Sequence, residues 1–223
     1  MSKTLFIRAI TKFLAGLLMV AALLFIPAGT WDYPQGWLLL GILFVPMFVA
    51  GLVMMKKNPE LLKKRLNVKE EETEQRQVIL FSGIMFLAAF MSAGLSYRHQ
   101  WLMLPPLVSI LAAVVFLAAY ALYAEVLREN TYLSRTVEVQ EDQKVIDTGL
   151  YGIVRHPMYM VTVILFLAMP LVLGSVISFV IMLLYIPIIV RRIRNEEMVL
   201  AEGLSGYRQY MEKVKYRLIP FVW

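Results

Sequence analysis

Residues 149–166 read GLYGIVRHPMYMVTVILF, and the side chains in them that could do chemistry are Tyr151, Arg155, His156 and Tyr159, gathered where a long apolar run begins. Pro157 suits the first turn of a helix, where its missing N–H would be unsatisfied anyway, so Arg155 and His156 fall immediately before a helix start. Free backbone donors and the positive end of the helix dipole favour an anion at such a place, and an arginine strengthens the effect. The same arginine could equally anchor the helix at lipid headgroups, with its stem in the apolar layer and its charge in water. A second charged group lies in RRIRNEEMVL, residues 191–200. There Arg192 and Glu196 are four apart and share a helix face, with Glu197 beside them. Such pairs commonly mark only a solvated face. Opposite Arg155 and His156, at the mouth of an apolar hairpin, they form instead a candidate site. Tyr151 and Tyr159 add aromatic faces on which a cationic or adenine-bearing ligand could rest.

The elements that must position these residues are membrane helices. Hydrophobic residues make up 60% of the 223 and charged residues only 17%, far from the balance of a soluble domain. Apolar stretches long enough to cross a bilayer, about 20 residues each, cover roughly 7–28, 36–55, 78–96 and 101–124, and a longer one covers 158–190. The first outruns the h-region of a signal peptide and carries no obvious cleavage site, so it reads as a retained span. Cysteine is absent and histidine occurs only as His99 and His156. That leaves no thiolate chemistry and no ligand set for a metal.

The net charge of +6 orients the chain in the bilayer rather than pointing to nucleic acid. Lys3, Arg8 and Lys12 flank the first span, and the linker KKNPELLKKRLNVKEEETEQRQ, residues 56–77, follows the second. Both belong on the cytoplasmic side. The loop 29–35 has no basic residue, and Trp31, Tyr33 and Trp37 suit the outer aromatic belt. The loop after the third span carries only Arg98; Arg128, Arg135, Lys144 and Arg155 then return the positive charge to the inside. The linker itself reads as a solvated, helix-prone segment without a chemical role.

The apolar run 158–190 would form a helix about 50 Å long, against a hydrocarbon core of about 30 Å. One straight crossing would also place Arg191, Arg192 and Arg194 outside, so a helical hairpin turning near residues 170–175 is predicted. Its arms are short, which leaves it tilted, packed on other helices, or incompletely spanning. The expected architecture is an all-α integral membrane protein of about six transmembrane or membrane-embedded helices, the last two forming the hairpin. Residues 1–124 provide four N-terminal spans and 125–223 a second half with a cytoplasmic loop, the hairpin and a C-terminal helix. Both termini are expected in the cytoplasm, and the location in the cell (inner) membrane.

The segment VEVQEDQKVIDTGLYGIVRHPMY, followed by RIRNEEMVL and GYRQYMEKVKYRLIPF, resembles the isoprenylcysteine carboxyl methyltransferase family over roughly residues 130–221. The ordered set of Gly-x-Tyr, Arg-His-Pro-x-Tyr, hydrophobic hairpin and Glu-Glu is more specific than any piece of it, and phospholipid methyltransferases share much of it. The resemblance implies an all-helical membrane enzyme that uses S-adenosylmethionine, held at the cytoplasmic face by the C-terminal half. It implies cofactor contacts from Gln140, Gln143, Lys144, Val145 and Ile146, from Tyr151, from His156, Pro157, Met158 and Tyr159, and from Glu196. Arg192 matches the arginine assigned to the methyl acceptor, and Arg155 beside it could serve the acceptor or the cofactor carboxylate. The chain departs from the family pattern at Leu150, where proline is usual, at Val161, where glycine is usual, and at Ser205 and Gly206 ahead of Tyr207.

A carboxylate acceptor is already ionised near neutral pH and needs no general base, so an arginine fork and alignment of the substrates would carry the catalysis. The implied acceptor is a lipophilic small molecule or prenylated compound reached from the lipid bilayer. The alternatives are a phospholipid or amine N-methyltransferase of the same architecture and an NADPH-dependent membrane reductase of similar layout. A non-catalytic scaffold or small transporter is a further alternative; against transport stands the lack of ionisable residues within the spans.

Overall fold

The computed structural model describes residues 3–66, 73–133, 139–140 and 142–223, with the side chains of 3, 64 and 73–75 left aside. It is all-helical: α1 Lys3–Ala28, α2 Pro34–Lys57, α3 Pro59–Leu66, α4 Thr73–His99, α5 Pro106–Glu129, α6 Pro157–Val172, α7 Val176–Met182, α8 Tyr185–Gly203 and α9 Tyr207–Lys213. Five stretches are long and apolar enough to cross a membrane, namely Thr4–Ala28, Pro34–Lys57, Arg76–His99, Pro106–Glu129 and Val176–Gly203, and α6 is a shorter apolar helix. The chain is an all-α integral membrane protein.

The fourth span starts later than the hydropathy suggests, at Pro106 rather than Trp101. Two consecutive prolines explain the shift, since the residue before a proline is pushed out of the helical region and Pro at N1 is well placed to begin one. Residues 100–105 are instead tied to the tip of the hairpin. The Leu104 N–H donates to the Gly174 carbonyl at 2.8 Å, and Met103 pairs with Ser175 in an isolated antiparallel bridge.

The hairpin forms where expected. α6 packs most heavily on α5, and the return arm packs on α4. Gly174 turns the chain with φ +73, a left-handed value that glycine adopts without the Cβ penalty. Ser175 caps α7 by accepting from the Ser178 N–H at 3.2 Å and donates to Ser96 Oγ at 3.0 Å. The arm breaks between α7 and α8 because Pro187 has no N–H to give the Leu183 carbonyl four residues earlier. With α6 only 16 residues long, the hairpin still reaches the end of the bundle that holds the α1–α2 and α4–α5 loops. There the buried Tyr33 hydroxyl donates to the Leu173 carbonyl at 2.9 Å.

That bond corrects the expectation for Tyr33. Trp31 and Trp37 are exposed as an interfacial belt requires, at 69% and 52%, but Tyr33 is fully buried and stacks on Tyr97 with ring centroids 4.0 Å apart. Arg98, the exception to the charge rule, has its guanidinium beside Gly29 at the C-terminal end of α1, where a cation complements the helix dipole.

The charged linker also differs from a fully solvated segment. Asn58 caps α3 by accepting from the Leu61 N–H at 3.0 Å, and Leu61 and Leu62 are buried. Lys12 Nζ donates to the Leu66 carbonyl at 2.6 Å, and Arg65 donates to the Tyr123 hydroxyl and contacts Met158 Sδ at 3.8 Å. The apolar face of α3 is thus folded under the bundle, while residues 67–72 lie outside the described part.

Candidate functional site

The N-terminus of α6 is fixed by a segment far away in the chain. The Arg155 N–H donates to the Tyr216 carbonyl and the His156 N–H to the Arg217 carbonyl, both at 2.9 Å. The residues after α9 therefore pair along 155–156 and hold the RHP tripeptide in place. Arg155 is buried, and its guanidinium is engaged on three sides: Nε donates to Glu197 Oε1 at 2.7 Å, and Nη1 donates to the carbonyls of Val214 at 2.7 Å and Lys215 at 3.0 Å. The second oxygen of Glu197 accepts from Arg217 Nε at 2.7 Å. His156 Nε2 lies 3.2 Å from Glu197 Oε1.

Glu196, one residue earlier, faces a different partner. Its Oε2 accepts from the Tyr159 hydroxyl, which itself accepts from Arg192 Nε at 2.8 Å. The Arg192 guanidinium also lies 5.8 Å from the centroid of the Tyr159 ring. The i, i+4 pair read from the sequence is therefore bridged by a tyrosine of α6 rather than closed directly. His156 stacks on that same ring at 5.7 Å.

The third wall is the loop ahead of α6. Glu129, at the end of α5, accepts from Thr148 Oγ1 at 3.1 Å and from the Leu150 N–H at 3.2 Å. Gly149 between them has φ +50, and a Cβ there would collide with the Glu129 carboxylate, so glycine is required twice over. Upstream, Gln140 donates to the Tyr132 carbonyl at 2.5 Å, and its backbone N–H reaches Gln143 Oε1 at 2.9 Å. Downstream, Lys213 of α9 donates to Asp147 Oδ2 at 2.6 Å, a hydrogen bond that holds the Asp147 carboxyl below its usual range.

These walls border an open cleft of about 90 Å³. Gln143, Lys144, Val145, Ile146, Tyr151, Arg155, His156, Met158, Tyr159, Arg192 and Glu196, all expected at the site, border it. Gln140 and Pro157 do not border it. Gln140 shapes the loop, and Pro157 is the buried first residue of α6.

The sequence reading missed the α9 wall. Tyr207 and Tyr210 line the cleft, and both are buried. Tyr210 donates to the Tyr151 carbonyl at 2.7 Å, whereas the buried Tyr207 hydroxyl has no hydrogen-bond partner among the described residues. Burial, and then the nearby carboxylates of Glu196 and Glu197, push the Tyr207 phenol above its ordinary range, so it is a neutral donor. The spacing of the tyrosines in GYRQY, three apart on one helix face, was the available signal. The pairing of Arg217 with Glu197 had none.

An all-helical membrane protein with a polar, tyrosine-lined cleft at the mouth of a helical hairpin is the class that fold and site define. Comparison with known proteins narrows it. Residues 108–202 match the model of the isoprenylcysteine carboxyl methyltransferase (ICMT) family, and the resemblance carried by the RHP and Glu-Glu motifs is to that family. The match runs from α5 into α8 and stops before α9. A curated protein, the Delta(14)-sterol reductase TM7SF2 of Mus musculus, is 29% identical over 91 residues, which cover 40% of this chain and 22% of that protein.

Proposed function

We propose that this protein is an integral membrane methyltransferase that uses S-adenosylmethionine and O-methylates the carboxylate of a lipid-like, isoprenylcysteine-type acceptor. The observation that carries the reading is the convergence of loop 143–146, the start of α6, Arg192 and Glu196 of α8, and α9 on one cleft. The family match over residues 108–202 supports it.

The donor set suits an aminoacyl nucleoside. The unpartnered Tyr207 hydroxyl is a buried donor awaiting an acceptor, and a polar group left in that state costs about 1–3 kcal/mol. Glu196 offers a carboxylate to ribose hydroxyls or to an ammonium group, and the rings of Tyr151 and Tyr159 offer faces to a base or a cation. When bound, S-adenosylmethionine would supply an electrophilic methyl group. The chain's own part is to align and to dry the acceptor. Arg192 fixes the acceptor carboxylate in a fork while Tyr159 keeps the guanidinium in register, and no group is required to remove a proton. Arg155, whose Nε and Nη1 are held by Glu197 and the tail carbonyls, serves as a positioning residue. The second half, 125–223, carries the site, and residues 1–124 brace it. The cleft opens to the cytoplasm, with both termini on that side of the cell membrane and the acceptor's apolar part in the bilayer.

Calorimetric titration of the purified protein with S-adenosylhomocysteine tests the reading, with saturable micromolar binding expected. The identity shared with a sterol reductase favours a second reading, an NADPH-dependent membrane reductase. It predicts that NADPH binds and S-adenosylhomocysteine does not. Label transferred from radioactive cofactor to a lipid extract should be released by mild alkali if the product is an ester; retained label would mark an N-methyltransferase.

A further inference from the structure

We infer that Glu197 is a positioning residue that fixes His156 as its Nε2–H tautomer and so presents the bare Nδ1, beside Glu196, as an acceptor for an N–H or O–H group of the bound ligand. Glu197 is buried, lies one residue from the cleft-lining Glu196, and touches no part of the reaction outlined above. Its two oxygens already accept from Arg155 and Arg217, each at 2.7 Å. A carboxylate held by two guanidinium groups can only accept, so in the contact with His156 Nε2 at 3.2 Å the proton belongs to the imidazole.

The consequence lies on the other side of the ring. His156 Nδ1 stands 3.9 Å from Glu196 Oε1, too far for a hydrogen bond. In the neutral ring a protonated Nε2 leaves Nδ1 with a lone pair, and two acceptors then face each other across a gap at the cleft wall. Acceptors in that arrangement are satisfied together by one group with two hydrogens to give, such as an ammonium or a vicinal diol. An aminoacyl nucleoside carries both, so the identity of the ligand group rests on the proposed methyltransferase reading, while the tautomer rests on the geometry alone. The Tyr159 ring stacked on His156 holds the imidazole against a flip that would bring carbons where Nδ1 and Nε2 stand, and the backbone bond from the His156 N–H to the Arg217 carbonyl fixes the main chain that carries it. Arg217 thereby joins the site through a tail segment that holds Glu197 by its side chain and His156 by its carbonyl.

The chain has only two histidines, which makes the tautomer directly observable. Full-length protein labelled with 15N-histidine, in detergent at pH about 8.5, roughly two units above the ordinary imidazole value, should show a pyrrole-type Nε2 and a pyridine-type Nδ1 for His156. His99→Gln assigns the signals. Glu197→Gln offers an amide that can donate as well as accept, so it should mix the tautomers and weaken S-adenosylhomocysteine about tenfold, the loss of one hydrogen bond. An Nδ1–H tautomer or an imidazolium in the unaltered protein overturns the proposal. So does an unchanged His156 spectrum in Glu197→Gln, which would make Glu197 a structural ion-pair partner only. If that variant does not fold, the spectrum of the unaltered protein decides. An Nε2–H tautomer in a protein that binds no S-adenosylhomocysteine would defeat the methyltransferase reading and leave the role of Glu197 standing.

Discussion

Arg192 Nε donates to the Tyr159 hydroxyl at 2.8 Å, which places a phenol from α6 between the guanidinium and the Glu196 carboxylate of α8. A single side chain from the outgoing arm of the hairpin thus sets the geometry of both charged groups on the returning arm. Tyr159→Phe keeps the ring on which His156 stacks and removes only the bridge. Affinity for S-adenosylhomocysteine should fall roughly 5- to 20-fold, the effect of one charge-assisted hydrogen bond, with little change in melting temperature. Calorimetry and a thermal melt on the same preparation check both.

Arg192→Lys keeps the charge and loses the planar fork. Because the fork is assigned to the acceptor rather than the donor, turnover should drop about 100-fold while S-adenosylhomocysteine binds within about threefold of the unaltered protein. A loss of donor affinity as large as the loss of turnover would reassign Arg192 to the cofactor.

Arg155 should respond in the opposite way. Its side chain and that of Glu197 are each only 5% exposed, so Arg155→Met leaves a buried carboxylate with fewer partners and strips donors from the Val214 and Lys215 carbonyls. Breaking a buried pair from one side costs about 3–5 kcal/mol. The variant should unfold at markedly lower temperature or denaturant, a loss visible in tryptophan fluorescence before any assay of activity.

Tyr33→Phe probes the far end of the hairpin. It deletes the buried bond to Leu173 but leaves the stacking on Tyr97, so stability should fall by about 1–2 kcal/mol. Affinity for S-adenosylhomocysteine should stay unchanged, since the altered residue lies at the end of the bundle opposite the cleft. A loss of affinity without loss of stability would show that hairpin tip and cleft are coupled.

Gly149→Ala tests the loop wall. A left-handed φ costs a residue with a Cβ roughly 1–2 kcal/mol, and the added methyl meets the Glu129 carboxylate as well. Ligand affinity should fall more than global stability, because loop 148–150, held by Glu129, joins Ile146 to Tyr151, both of which border the cleft. Limited proteolysis should show earlier cutting near residue 149.

The spans, the hairpin and most of the cleft residues were legible in the sequence because each rests on a local or periodic signal. Twenty apolar residues mean a crossing, a run too long for one crossing means a turn, and Arg-His-Pro marks a helix start whatever surrounds it. Tyr33, the apolar face of α3 and the α9 tyrosines were not legible. Their placement depends on partners far away in the chain: the Leu173 carbonyl for Tyr33, Lys12 together with the Tyr123 and Met158 contacts of Arg65 for α3, and the Tyr151 carbonyl for Tyr210.

What the sequence determined by itself is therefore the solvent of each segment and the chemical types available at the rim. Which of those types meet was decided only in three dimensions. Glu196 and Glu197 are neighbours of the same type, yet one turns to Tyr159 and Arg192 at the cleft while the other sits among Arg155, His156 and Arg217. The reason is geometric: successive residues on a helix point about 100° apart, and only the packing of α8 against α6 and the returning tail fixes which direction faces the cleft and which the buried cluster.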